Sequence, residues 1–355
     1  MEETSSAGPK ASSDLTVAEG PNQSHGEAPA HSESRDDSRG QEEPRPDSEQ
    51  AGESTKQLAN AVGDDAEDQK PDARPLTWVP PGHFYSPLVD PTNRHVRQIL
   101  DNPSLSSLVP DESLQIDDRA ILETFAKIVD FSTTMPFEAE KAPGLRFCLD
   151  NPAFSYGDAI AYFGIVLDRA PQRVIEIGSG YSSCLLMDTN DHRFGGSINF
   201  TMIEPYPDVL RSLLEESDPY WANLLVSDLQ DVPTEKFREL QANDILFIDS
   251  SHVGKMGSDV NDYLFRILPA LRPGVVIHIH DIPYPFEYGS QWIDEQNRSW
   301  NEAYLLRAFL QYNRAFRVIY FSHYMVSLHQ DLLVQQLPMA MLNGGASIWL
   351  EKTFL

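Results

Sequence analysis

One stretch constrains this chain more than any other: Val174-Ile175-Glu176-Ile177-Gly178-Ser179-Gly180-Tyr181-Ser182-Ser183. An apolar run ends in an acid, passes two spaced glycines and continues into small polar residues. The pattern predicts a strand, a tight turn and a helix. Gly178 and Gly180 let the backbone adopt conformations closed to other residues and approach a ligand closely. The acid says which ligand. A carboxylate at Glu176 repels a pyrophosphate but attracts a cation bearing an ammonium and a sulfonium. The dinucleotide fingerprint also asks for Gly or Ala where Ser183 stands. Both features favour S-adenosylmethionine over a nicotinamide cofactor.

Downstream, short apolar runs alternate with helical patterns. Strands are expected at residues 173–177, 199–203, 223–226, 245–248 and 275–280, with helices near 182–188, 208–215, 233–241 and 260–268. A further helix near 301–312 precedes two more strands, 316–321 and 346–351. Runs apolar on both faces, alternating with helices, indicate an α/β fold: a Rossmann-like doubly wound sheet of about seven strands, mostly parallel with an antiparallel edge strand. Upstream, residues 156–168 read as a helix and 76–155 as a partly helical cap. Residues 1–75 are rich in Ser, Glu, Asp, Pro and Gly and carry no aromatic residue. They are expected to form a disordered acidic tail, leaving 156–355 as the main domain.

Acids close several of the strands. Glu204, in Ile203-Glu204-Pro205, ends the second and is placed to accept hydrogen bonds from ribose hydroxyls. Asp228 follows the third and is a candidate for the adenine pocket. Asp249 and Asp281 leave the fourth and fifth, where open parallel sheets bind their ligands. Asp249 and Asp281 are thus both candidates for the transfer site, and Asp249 also for the cofactor. His252 and His280 are each candidates for taking a proton from an acceptor hydroxyl or amine near neutral pH. Arg272 and the aromatic group Tyr284, Phe286, Tyr288 and Trp292 are candidates for shaping an acceptor pocket.

Taken together, Glu-x-Gly-x-Gly, Ile-Glu-Pro, Phe247-Ile248-Asp249-x-x-His252 and Leu271-x-Pro273-Gly274 resemble class I methyltransferases of the methyltransferase-24 type. His278-Ile279-His280-Asp281-Ile282, Trp292, Trp300-Asn301-Glu302-Ala303-Tyr304-Leu305-Leu306 and Gly344-Gly345-Ala346-Ser347-Ile348-Trp349 extend the likeness over residues 76–353. The resemblance implies S-adenosylmethionine as cofactor. Glu176, Gly178, Ser179 and Gly180 would surround its methionine part, with Glu204 at the ribose and Asp228 near the adenine. Ser182 departs from the family pattern, which commonly has a third glycine there. Metal-dependent catechol-type relatives carry an acid after the fourth strand and an Asp-Asn pair after the fifth. Asp249 and Asp281 occupy similar places, so a Mg²⁺ ion held by these two carboxylates is a further expectation, although Ile282 stands where the Asn would be.

Composition narrows the acceptor. The chain of 355 residues has a formal charge of −27 and no Lys/Arg cluster, which argues against a nucleic-acid substrate. Two cysteines are too few for a disulfide framework or a zinc site. No secretory signal and no apolar run of about eighteen residues is seen, so a cytoplasmic protein acting away from membranes is expected. The reading is methyl transfer to an oxygen or nitrogen of a small molecule. The alternatives are an inactive methyltransferase-like scaffold and a nicotinamide-dependent oxidoreductase.

Overall fold

Asp244 shows how the sheet is pinned. Its buried carboxylate accepts hydrogen bonds from the Gln172 and Arg173 amides at 3.0 and 2.8 Å and from the Gln241 amide at 2.9 Å. That locks the start of β1 (Arg173–Ile177) beside the start of β4 (Ile245–Ile248). Both strands are apolar on both faces and almost completely buried, as a central parallel sheet requires.

The computed structural model describes residues 78–102 and 112–354. Its seven-stranded sheet has the order β3-β2-β1-β4-β5-β7-β6. β2 (Asn199–Ile203), β3 (Leu224–Leu225) and β5 (Val276–Ile279) run parallel to β1 and β4. β7 (Ile348–Lys352) is antiparallel to both its neighbours, β5 and β6 (Phe316–Phe321). The expected antiparallel addition is therefore present, one place in from the edge, with β6 outside it. The acidic tail expected at residues 1–75 lies outside the described residues, while Pro75–Leu355 makes up one compact unit.

The helices match the expected alternation. Upstream of the sheet lie α1 (Arg94–Asp101), α2 (Asp118–Ser132) and α3 (Tyr156–Arg169). α2 starts at Asp117, whose side chain accepts from the Arg119 and Ala120 amides and so satisfies two otherwise orphaned donors. It sends Ile121, Phe125 and Ile128 into the same core that holds Phe163 of α3. Each such side chain contributes about 1.5–3 kcal/mol on burial. Arg146 fastens the segment before α3: its guanidinium reaches Asp188, Asp191 and Asp218 at 2.6–2.9 Å.

Within the sheet region, α4 (Tyr181–Phe194), α5 (Asp208–Leu213) and α6 (Thr234–Arg238) follow β1, β2 and β3. α7 (Asp259–Asp262) continues through a π-turn at Tyr263–Ile267. α8 (Glu302–Leu310) leads to β6, and α9 (Ser322–Leu328) and α10 (Gln330–Gln336) lie between β6 and β7. These last two helices were not expected, although Met325, Leu332 and Leu333 carry a helical spacing.

Candidate active site

The carboxyl ends of the parallel strands converge on one rim. At its centre the turn after β1 crosses the residue after β4. Gly178 has φ +83°, and a Cβ there would overlap the Asp249 carbonyl oxygen. Only glycine allows this crossing. Ser179 donates its amide to Glu204 at 3.1 Å, and the Tyr206 amide donates to the other Glu204 oxygen at 2.7 Å. The acid ending β2 is thus held against the turn after β1. Burial raises the Glu204 pKa above the usual carboxylate value, against those two amide bonds. Asp228 follows β3 and is exposed.

Glu176 lies in β1, two residues before Gly178. It is fully buried, and its oxygens accept from the Ser182 and Ser183 hydroxyls at 2.6 Å each. Ser182, which departs from the common glycine, is thereby one of the two groups that hold this acid. Burial pushes the carboxyl up to about 8, with the two hydroxyls opposing the shift.

His252 lies next to the turn. It has φ +58°, and its buried imidazole is gripped at Nδ1 by Glu302 of α8 at 2.8 Å. Glu302 also accepts from the Tyr263 hydroxyl at 2.5 Å, out of the π-turn in α7. The His252 Nε2 then points between two acids, 3.4 Å from Asp249 and 3.6 Å from Asp281. Burial alone would lower the His252 pKa. Hydrogen bonds to Asp249 and Glu302, with the charge of Asp281, instead raise it well above the ordinary imidazole value. Burial likewise opposes ionisation of Asp249, but His280 and His252 outweigh it and hold that carboxyl well below its usual range.

His280 forms the opposite wall. It is 5% exposed, its Nδ1 has no hydrogen-bond partner, and Asp158 stands 3.9 Å away. Asp158, from α3, is itself held by the Ser322 and Ser347 hydroxyls and the Ala346 amide at 2.5–2.9 Å. Gly345, at φ +77°, leaves the room that this carboxylate fills. His278, one turn of the pleat away, is a different case. It stacks on Phe247 at 3.9 Å within the sheet, and burial drives its pKa well below the ordinary value, so it stays neutral.

Asp158, Asp249, His252, His280 and Asp281 all line a cavity of about 920 Å³ above β4 and β5. Tyr284, Trp292, Arg298 and Trp300 line it too. Four expectations change here. Arg272 lies before β5, at the opposite end of the strand, and bonds Gln241. Phe286 is wholly buried in the core. Tyr288 is also buried and accepts the Ala303 amide at 2.9 Å. The Mg²⁺ expectation on Asp249 and Asp281 does not fit the donor set. The His252 imidazole occupies the gap between them, and no group of three metal-binding side chains is present among the described residues. A hard cation needs several oxygen ligands, and here a nitrogen base takes their place.

Sequence reasoning missed Asp158, Glu302, Tyr263 and Arg298. Asp158 and Glu302 sit in helices, where a lone acid ordinarily faces water. Tyr263 sits in an apolar helical run. Only the packing of α3, α7 and α8 around the rim reveals them.

A methyltransferase-domain family model matches residues 175–282, from β1 to the residue after Asp281. An uncharacterized protein of Archaeoglobus fulgidus is 31% identical over 172 residues, covering 46% of this chain and 74% of that protein. A solved structure, the SAH-bound Podospora anserina methyltransferase PaMTH1, is similar at a TM-score of 0.36 and 13% identity. That match covers 65% of this chain and 88% of the other. Residues 175–282 thus carry a methyltransferase domain, and the sheet order and the glycine turn make it one of the class I, S-adenosylmethionine-dependent type.

The residues present suit that cofactor. Acids dominate the rim around the glycine crossing. The buried hydroxyl of Ser179, next to Gly178, has no hydrogen-bond partner among the described residues. A ligand rich in polar groups would satisfy it.

Proposed function

We propose that this protein methylates a hydroxyl oxygen of a small molecule, with His252 as the proton acceptor. The observation that carries this reading is the Glu302–His252 pair: a buried carboxylate fixes Nδ1, leaving Nε2 at the wall of the cavity beside Asp249. Sequence reading left His252 and His280 equal as candidates, and nitrogen as open as oxygen. The second anchoring bond favours His252, because a base must be oriented before it is useful. A hydroxyl needs such a base more than a neutral amine does, since neutral nitrogen is already a good nucleophile and neutral oxygen is a poor one.

In this reading, an acceptor hydroxyl in the cavity gives its proton to the His252 Nε2. Asp249 and Asp281 stabilise the imidazolium that results, and Glu302 holds the ring so that Nε2 stays the receiving atom. S-adenosylmethionine, when bound, would supply a methyl on positively charged sulfur, with a neutral thioether as the leaving group. The chain's main contribution is alignment of donor and acceptor. Glu176, Gly178, Ser179 and Gly180 would hold the methionine part, Glu204 the ribose and Asp228 the adenine side.

A calorimetric titration with S-adenosylmethionine and S-adenosylhomocysteine tests the cofactor half. Both should bind the wild-type chain. Glu204→Ala should weaken both by about 10- to 100-fold, the loss expected for charge-assisted hydrogen bonds. Unchanged affinity would remove Glu204 from the ribose.

The Glu176 carboxyl gives a second test. A group with a pKa near 8 is mostly protonated at pH 7. A sulfonium arriving nearby favours its ionised form, so binding S-adenosylmethionine should release protons. S-adenosylhomocysteine has a neutral sulfur and should release fewer. Titrations in buffers of different ionisation enthalpy count the protons directly. Equal release for the two ligands would mean that Glu176 does not sense the sulfonium.

A further inference from the structure

The acceptor cavity contains one cation whose role the fold does not account for. Among the described residues lining it, Arg298 is the one lysine or arginine. Its backbone amide bonds the Trp292 carbonyl at 2.8 Å, but its guanidinium makes no hydrogen bond or ion pair among the described residues and instead lies over the Trp300 ring at 4.1 Å. The same indole packs on the His252 imidazole at 4.3 Å. Arg298 and the proposed base thus share one aromatic platform. The other charged groups of the cavity are engaged. Asp249 and Asp281 flank the histidines, Asp158 has three donors, and Glu287 accepts from the Tyr304 hydroxyl. Asp249 and Asp281 act on this half-buried guanidinium only through longer-range charge, which leaves its fork of donors, a geometry suited to carboxylates, open as a recognition group.

We propose that the methyl acceptor is an aromatic hydroxy acid, its carboxylate bound by Arg298 and its ring lying among Trp292, Trp300 and Tyr284. This rests on the methyltransferase reading above and names its substrate class. The aromatic walls suit a flat ring better than a sugar. A phenolic hydroxyl, with a pKa near 10, is also far closer than an aliphatic alcohol to what an imidazole can deprotonate.

Binding measured by calorimetry, with S-adenosylhomocysteine saturating, tests the idea without requiring turnover. The probes are 4-hydroxybenzoate, 4-hydroxyphenylacetate and 4-hydroxycinnamate, each beside its uncharged carboxamide. At least one acid should bind about 10- to 100-fold more tightly than its amide. Arg298→Gln should erase that gap, and Arg298→Lys should restore part of it. The affinity for S-adenosylhomocysteine should not move in either variant. Equal binding of acid and amide, a gap that survives Arg298→Gln, or no binding by any of the six probes would overturn the proposal. Failure of the wild-type chain to bind S-adenosylhomocysteine would instead overturn the methyltransferase reading, so the two failures are distinguishable.

Discussion

His252→Asn should lower kcat/KM by about 10²- to 10⁴-fold, the usual contribution of a positioned general base, while S-adenosylhomocysteine binds as before. The wild-type rate should also depend on pH in a particular direction. An imidazolium cannot accept a proton, so activity is absent while His252 is charged and appears as it deprotonates. Glu302 and Asp249 favour the charged form and raise its pKa well above about 6.5. The rise in rate should therefore fall at higher pH than an unperturbed imidazole would give. Glu302→Gln keeps a hydrogen-bond acceptor but removes a charge, so the rise should move to lower pH. In His252→Asn the rise should vanish. Stopped-time assays of methyl incorporation from labelled cofactor across pH 5–10 provide the profile. A His252→Asn enzyme that keeps both its rate and its pH inflection would transfer the role to His280 or to solvent.

Gly178→Ala should be the most damaging single-methyl change in the chain. Two effects act together. An L-residue at φ +83° is strained, and the new Cβ would overlap the Asp249 carbonyl oxygen, which is backbone and cannot swing aside. To relieve the overlap, β1 and β4 must separate at their carboxyl ends. The same ends carry the Ser179 amide bonded to Glu204 and the amide of Asp249 bonded to the Ile177 carbonyl at 2.9 Å. A loss of about 3–5 kcal/mol is expected, in the range reserved for strain at a special backbone position. In a unit of this size that lowers Tm by roughly 10 °C. Cofactor binding should be lost even where the variant still folds. Differential scanning fluorimetry with and without S-adenosylhomocysteine reads both effects. A variant with wild-type Tm and a normal ligand-induced increase would show that the crossing is not needed. Gly196→Ala is the control: it also has positive φ, but nothing lies within 4 Å of its Cβ.

Much of the sheet was legible because its strands are buried on both faces. β1, β2, β4 and β6 begin and end at the expected residues. An apolar run that must be wholly buried has sharp limits, since polar residues bound it on both sides. β3 shrank from four expected residues to Leu224–Leu225, because it lies at the sheet edge where Leu225 and Val226 are exposed. The acids at the strand ends were legible through the topology itself, which requires residues such as Asp249 and Asp281 to meet at one rim. The partners that set their chemistry were not. Glu302 sits far from His252 in sequence, and no spacing rule connects a residue in α8 with one after β4. Arg272 failed for a related reason. It lies within a recognised motif, but that motif turns the chain into β5 at the end away from the site. The magnesium expectation failed because two carboxylates in similar places say nothing about the imidazole between them.

The place of β7 has a consequence for how the molecule assembles. β6 pairs with β7 alone, and β7 in turn supplies the partner that β5 lacks on that side. Synthesis delivers β6 first, yet it has nowhere to attach until a strand more than twenty residues later has closed on β5. The Ala346 amide and the Ser347 hydroxyl that grip Asp158 arrive with that same closing strand. The wall of the cavity that Asp158, Gly345 and Ala346 form is therefore completed last, by long-range pairings that are intrinsically slow to form. A nascent chain can complete the crossing of β1 and β4 well before that wall of the cavity closes.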